Sequence, residues 1–195
     1  MDIFNRRGKV IWLTGLSAAG KTTIAHEMLT RFEQANERAY VLDGDRLRRG
    51  LNSDLTYSPE DRRENVRRFA EVAGILRDTG LWVIVSCISP YVAGREQARS
   101  IIGPENFAEV FIDTPLATCE ERDPKGLYRK ARQGEIPEFT GITAPYEPPT
   151  SPDAHVRTPG KTPEECAAAI LSALSILLEE GVSRTEHPVL KDVQS

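Results

Sequence analysis

The stretch that decides the fold is Gly15–Thr22, GLSAAGKT. It fits the pattern G-x-x-x-x-G-K-[ST] at every required position, after a short apolar run and before an amphipathic one. In such a phosphate-binding loop (P-loop), glycines let the backbone wrap around phosphate oxygens, and inward N–H groups with the next helix N-terminus supply positive charge. Lys21 would reach the β- and γ-phosphates, and Thr22 would offer its hydroxyl to Mg²⁺. The motif predicts binding of ATP with Mg²⁺, but it does not separate a kinase from a GTPase switch or an ATPase.

Short apolar runs alternate with amphipathic stretches on both sides of this loop. Strands are predicted over Lys9–Thr14, Ala39–Leu42, Leu81–Cys87, Glu109–Ile112 and Ala154–Arg157. Helices are predicted over Lys21–Gln34, over Pro59–Thr79 behind a Ser58–Asp61 capping box, and from Thr162 to near Gly181. The alternation predicts an α/β fold, a P-loop NTPase-type three-layer αβα sandwich with a mainly parallel five-stranded sheet and a lid segment.

Composition sets the broad class of the protein. The chain has 195 residues, 39% hydrophobic and 28% charged, which favours a single globular domain over 1–195. The formal net charge of −4 does not indicate a nucleic-acid surface, and no apolar run is long enough for a signal peptide or a membrane span. Three cysteines without metal-ligand spacing predict reduced thiols and a cytoplasmic protein.

Two segments lack a regular pattern. Arg122–Pro152 is rich in Lys, Arg, Gly and Pro, and segment 182–195 is a polar tail. Long irregular stretches inside compact domains are usually functional lids or disordered loops. We favour a lid, at approximately 122–148.

The predicted second strand ends in an acidic turn that contains Asp43 and Asp45. The carboxyl end of a parallel strand beside a P-loop is where ligands bind in open α/β sheets. Asp43 could hold Mg²⁺ through water, and Asp45 could orient or deprotonate an acceptor hydroxyl. The alternative for Asp45 is a structural role as the N-cap of a short helix over Arg46–Gly50.

Three polar residues follow the acidic turn. Arg62 and Asn65 are three apart on one predicted helix and share a face, and Arg48 precedes them. Guanidinium groups bind two oxygens of a phosphate or sulfate at once. From spacing alone, an anion site and a solvated charged face remain equally open.

Several separated motifs between Gly8 and Leu178 closely resemble the adenylylsulfate kinases. They read GLSAAGKTT, LDGDRLRRGLNSDLTYS, ENVRR, ISPY, CEERDPKGLYRKAR and GEIPEFTGITAPYEPP. The resemblance implies ATP-dependent phosphorylation of the 3′-hydroxyl of adenosine 5′-phosphosulfate (APS). It also implies a homodimer.

The resemblance implies roles residue by residue. The ATP-binding residues would be Gly15, Ser17, Ala18, Ala19, Gly20, Lys21, Thr22 and Thr23. The APS-binding residues would be Asp45, Arg48, Tyr57, Arg62, Asn65, Ile88, Ser89, Lys125, Phe139, Thr140 and Gly141, with Tyr57 and Phe139 stacking on the adenine. Lys21, Asp45 and Ser89 would be catalytic. The serine that matches Ser89 has been described as a phosphoserine intermediate, but direct transfer needs none, and we favour Ser89 as a substrate contact.

This sequence departs from the family pattern at Thr22, which replaces a serine and keeps the hydroxyl, and at two positions where the family has glycine. Ala18 replaces a glycine, which suits alanine only if the position does not need a positive φ, and we expect an angle that alanine tolerates. Thr56 replaces another glycine, which would stiffen the turn before Tyr57.

Other functions stay open at this point. One is a small-molecule P-loop kinase with a sugar or nucleoside acceptor. Another is a non-catalytic nucleotide-binding regulator, which would carry a guanine-specifying NKxD motif that the sequence lacks. The third is a catalytically silent structural domain.

Overall fold

A computed structural model describes residues 8–176 of the protein. Its centre is a five-stranded sheet of order β2-β3-β1-β4-β5 in which neighbouring strands are parallel. The strands are β1 Val10–Thr14, β2 Ala39–Asp43, β3 Trp82–Ser86, β4 Phe107–Asp113 and β5 Ala154–Arg157. All five predicted strands are present, and the predicted α/β sandwich is confirmed.

Seven α-helices accompany the sheet in the described part of the chain. They are α1 Lys21–Gln34, α2 Gly44–Arg48, α3 Pro59–Asp78, α4 Val92–Ile102, α5 Leu116–Arg122, α6 Leu127–Arg132 and α7 Pro163–Ala173. The predicted irregularity of Arg122–Pro152 is wrong over α6. The last predicted helix ends at Ala173 instead of near Gly181, which lies outside the described residues together with the tail 182–195.

The side chains of β1 divide the interior into two cores. Ile11 and Leu13 pack on the face that carries α1 and α7, whereas Val10 and Trp12 pack on the face that carries α3 and α4. Every residue of β1 is buried because helices cover both faces of the sheet. This explains why the strands read as nearly continuous apolar runs.

Helix caps fix where two of the helices begin. Thr162 and Glu165 form a complete capping box at α7. At α3, Ser58 Oγ accepts from the Asp61 N–H at 3.2 Å, but the Asp61 carboxylate accepts instead from the N–H of Thr56, at 2.7 Å. The predicted capping box is therefore only half formed, and its acid holds the turn in front of the helix.

Among residues 8–176 there is no helix with the length and apolar character that crossing a bilayer requires.

Candidate active site

The P-loop connects β1 to α1 at the carboxyl edge of the sheet. Gly15 is required by close packing, because a Cβ there would lie 2.6 Å from the carbonyl oxygen of Ile112. Gly20 begins α1 with a left-handed φ of 99°. Ala18 has a φ of 56°, so the expectation of an ordinary angle there is wrong. A non-glycine residue in this region costs roughly 1–2 kcal/mol.

Lys21 is buried at the mouth of the loop. Its Nζ donates to the carbonyl oxygens of Gly15 at 3.0 Å and Leu16 at 2.7 Å. Burial lowers the pKa of Lys21 to about 8, because the charged form loses its hydration. The side chain is thus a weakly solvated cation beside the N–H groups of the loop.

A hydroxyl and a carboxylate face each other next to the loop. Thr22 Oγ1 donates to Asp43 Oδ2 at 2.9 Å and lies 3.0 Å from the Ser86 hydroxyl at the end of β3. Ser86 was not found from the sequence, because an isolated serine at a strand end carries no signal. Within the described range 8–176, no group of three or more His, Cys, Asp or Glu side chains is arranged so that it could hold a metal ion. The Thr22 hydroxyl and the Asp43 carboxylate fit Mg²⁺, because this ion keeps several waters and takes its other ligands from phosphates.

The cap of α2 is Asp43, and the alternative role of Asp45 as N-cap is wrong. Asp43 Oδ1 accepts from the N–H groups of Asp45 at 2.9 Å and Arg46 at 3.2 Å. The Asp45 carboxylate is left on the cavity side, where it is 65% exposed and pairs with Lys125 of the segment between α5 and α6. The Asp45 carboxylate is therefore held by the Lys125 ammonium and not by backbone N–H groups.

Arg48 organises the turn before α3. Its Nη1 donates to the carbonyl oxygens of Leu55 at 2.9 Å and Thr56 at 2.7 Å. The guanidinium lies 4.6 Å from the centroid of the Tyr57 ring, a cation–π contact. Tyr57 is 55% exposed, so its ring stands at the rim of the cavity.

Arg62 ties together the two chain segments that carry the expected aromatic pair. Its Nε donates to the carbonyl oxygen of Tyr57 at 2.8 Å, and its Nη2 donates to that of Glu138 at 2.6 Å. Phe139, next to Glu138, is almost completely buried and lines the cavity. Arg62 therefore sets the distance between these segments through backbone contacts.

Asn65 lies inside the protein and does not line the cavity. Its Oδ1 accepts from Asn52 Nδ2 at 3.0 Å, and its Nδ2 lies 3.7 Å from Cys87 Sγ. Gly15 and Gly141 are also absent from the cavity wall, whereas the other expected site residues line it.

Ser89 follows β3 in a strained turn. It is 1% exposed, has a φ of 42°, and its Oγ accepts from Trp12 Nε1 at 3.0 Å. Arg95 donates to its carbonyl oxygen at 2.7 Å, and Thr14 donates to that of Ile88, also at 2.7 Å. The hydroxyl of Ser89 is engaged by the core, and the turn is fixed from both sides.

One cavity of about 930 Å³ joins these groups. Its size is at the upper end of the range for small-molecule sites. Its wall also includes Arg122, at the start of the expected lid, and four residues that the sequence did not indicate: Thr158, Lys161, Pro163 and Cys166.

Comparison with known proteins identifies the family of the chain. A profile of the family described as "Adenylylsulphate kinase" matches residues 7–157. The chain belongs to the adenylylsulfate kinase family. The adenylyl-sulfate kinase of Pseudomonas aeruginosa is 54% identical over 170 residues, covering 87% of this chain and 86% of the relative. That of Burkholderia ambifaria is 51% identical over 172 residues, covering 88% and 95%.

A solved adenylylsulfate kinase has the same fold. The structure of the Mycobacterium tuberculosis APS kinase in complex with AMPPNP and APS superimposes with a TM-score of 0.84 at 47% identity. The match covers 87% of this chain and 98% of the other.

Proposed function

We propose that this protein transfers the γ-phosphoryl group of ATP to the 3′-hydroxyl of APS, giving 3′-phosphoadenosine 5′-phosphosulfate and ADP. The observation that carries the proposal is the single cavity in which the P-loop, Asp45 and the Arg48–Arg62 pair meet, in a chain of the adenylylsulfate kinase family. ATP is the donor and APS the acceptor.

ATP binds with its phosphates on the P-loop. The N–H groups of 15–23 and the Lys21 ammonium receive the phosphate oxygens. The adenine ring of ATP occupies the part of the cavity near Arg122 and Pro163. Thr22 and Asp43 would hold Mg²⁺, and the bound ion would neutralise charge on the transferring phosphoryl group.

APS binds between the arginine pair and the segment 122–148, which acts as the lid. Tyr57 and Phe139 contact the adenine, while Thr140, Ile88 and the backbone around Ser89 complete the acceptor side. The positive side chains of the lid, Lys125 among them, attract the phosphosulfate, and closure excludes water that would otherwise hydrolyse ATP.

Asp45 is the base of the reaction. Its carboxylate orients the 3′-hydroxyl and accepts its proton late, as the new O–P bond forms and the bond to ADP breaks. The Lys125–Asp45 ion pair opens as the hydroxyl enters, which frees the ammonium for the transferring group. The Ser89 hydroxyl accepts a hydrogen bond from Trp12, which supports direct transfer without a phosphoserine intermediate. Phosphate trapped on Ser89 from labelled ATP, and passed to APS at the turnover rate, would refute this.

Replacement of Asp45 by asparagine tests the base. Asp45→Asn should lower kcat with APS by several orders of magnitude, on the order of 10²–10⁴-fold, while ATP still binds. Asp54→Asn is the matched control, because Asp54 is an exposed carboxylate that pairs with Arg68 outside the cavity. ATP consumption is measured with APS, gluconate, nucleosides and no acceptor. Wild-type turnover in Asp45→Asn would remove Asp45 as the base, and preference for another acceptor would refute the proposed reaction.

We also propose that the chain works as one domain over 1–195. On the family resemblance it forms a homodimer, which light scattering would test. The cytoplasm is the expected location, because all three cysteines are free, as in reducing compartments.

A further inference from the structure

Tyr128 is a lid residue that behaves like a core residue. It lies in α6, within the proposed lid, yet only 2% of it is exposed. Its Oη donates to the carbonyl oxygen of Ser17 in the P-loop at 3.0 Å, across 111 positions of sequence. A buried side-chain hydroxyl of the lid therefore binds the backbone of the donor loop, beside the longer contact of 3.5 Å that Arg122 Nη1 makes with the carbonyl oxygen of Ala18.

The other side of the same ring meets the acceptor end of the cavity. The rings of Tyr128 and Phe139 pack edge to face, with centroids 5.0 Å apart and planes at 77°. Phe139 lines the cavity, and its neighbour Glu138 is the residue that Arg62 holds. One tyrosine thus contacts the phosphate loop with its hydroxyl and the acceptor's aromatic wall with its ring.

We propose that Tyr128 is a positioning residue that couples the two substrate sites, so that a nucleotide on the P-loop raises the affinity for APS. This inference rests on the proposed function. It adds to that function a residue that couples the two sites and the sign of the coupling. Tyr128 touches neither reacting atom; it acts through Ser17 on one side and Phe139 on the other.

The peptide that joins Ser17 to Ala18 is the part of the loop able to carry the signal. Ala18 stands in the left-handed region, where alanine is strained, so this peptide keeps its orientation only while surrounding contacts hold it. Phosphate oxygens that bind the N–H groups of the loop add such contacts. The Ser17 carbonyl belongs to that same peptide, and a fixed carbonyl fixes the hydroxyl of Tyr128.

The hydroxyl is a dependable donor throughout the working pH range. Burial raises the pKa of Tyr128 above its ordinary value, so it stays protonated. A fixed hydroxyl restrains the ring, and the ring restrains Phe139 in the stacking position. Coupling between binding sites is reciprocal, so APS must raise the affinity for nucleotide by the same factor.

The test measures the coupling factor, which a merely structural tyrosine would not control. Titration calorimetry gives the Kd of APS with and without saturating AMPPNP and Mg²⁺, for wild type and for Tyr128→Phe. The variant keeps the ring and loses the hydroxyl. Tyr40→Phe is the matched control, because its Oη accepts from Arg46 at 2.6 Å outside the cavity.

In the wild type, the nucleotide should tighten APS binding by about fivefold or more, the lower range of such couplings. Loss of one hydrogen bond corresponds to about three- to tenfold, so Tyr128→Phe should bring the factor close to one. The Kd of Tyr128→Phe for APS alone, and that for AMPPNP alone, should change less than the coupling factor does. Tyr40→Phe should keep the coupling factor of the wild type. In turnover, KM for APS should rise more than kcat falls.

Different results overturn different statements. An unchanged coupling factor in Tyr128→Phe, or no coupling in an active wild type, overturns the role of Tyr128. If Tyr128→Phe weakens the binding of both ligands equally and leaves the coupling factor unchanged, Tyr128 contributes only packing, and its coupling role is overturned as well. A wild type that does not phosphorylate APS refutes the proposed function itself.

Discussion

Ala18 is the residue at which the P-loop departs from an unstrained backbone. Its φ of 56° favours glycine, whereas Ala19 beside it is outside the left-handed region and fully buried. Ala18→Gly should raise the free energy of unfolding by about 0.5–1 kcal/mol, because relief of strain exceeds the extra entropy of glycine in the unfolded chain. Ala19→Gly should lower it by a similar amount. Urea unfolding measures both, and a destabilised Ala18→Gly would contradict the strain.

Lys21 makes nucleotide binding depend on pH. Its pKa is about 8 in the free protein because of burial, and phosphate groups raise it on binding. A group whose pKa rises on binding takes up a proton, so affinity is constant well below pH 8 and falls above it, by up to about tenfold per pH unit. Calorimetry in two buffers should detect proton uptake of about half a proton at pH 8 and almost none at pH 6.5. A Kd that is flat between pH 7 and 9.5 would contradict this.

At the scale of elements, one guanidinium joins α4, β4, the Ser89 turn and the end of the lid. Arg95 is 3% exposed; its Nε donates to Glu109 Oε1 at 2.5 Å and its Nη2 to the carbonyl oxygen of Glu147 at 2.8 Å. Its Nη1 holds the carbonyl oxygen of Ser89. The end of the proposed lid is therefore anchored on the same helix that supports the Ser89 turn.

Arg95→Met should lower the free energy of unfolding by about 3–5 kcal/mol, because it removes the buried guanidinium that pairs with Glu109, whose side chain is only 13% exposed. Arg99→Met, one turn further along α4, is the control: Arg99 and Asp153 are 30% and 39% exposed, and such pairs contribute about 0–1 kcal/mol. Chemical denaturation compares the two. Equal losses would show that burial does not distinguish these ion pairs.

The elements differ in how far the sequence could predict them. The strands and α1 and α3 follow from apolar periodicity, since burial against the sheet demands it. The sequence suggested only Asp45 as a cap, whereas α2 begins at Gly44 instead of Arg46 and is capped by Asp43. Asn65 shares a helix face with Arg62, yet it reaches Asn52, a contact that only the tertiary fold creates. The contact of Tyr128 with Ser17 could not be predicted for the same reason, because the two residues are distant in sequence.

At the scale of the whole molecule, the protein encloses all of its thiols. Cys87, Cys119 and Cys166 are 7%, 0% and 1% exposed, and burial raises the pKa of each. Both effects slow attack on a disulfide reagent, which requires an accessible thiolate. Ellman's reagent should find no rapidly reacting thiol in the native protein and three in guanidinium chloride. One equivalent that reacts within seconds in the native state would contradict this burial.

The central position of β1 has a consequence for synthesis of the chain. Val10 of this first strand pairs with Val83 on one side and with Phe107 on the other. A ribosome adds about 5–20 residues per second, so roughly 5–20 s pass between the first strand and its second partner. During that interval the apolar segment VIWLT has no complete sheet to join. The pairing of β1 on both edges can therefore be completed only after β4 has been synthesised.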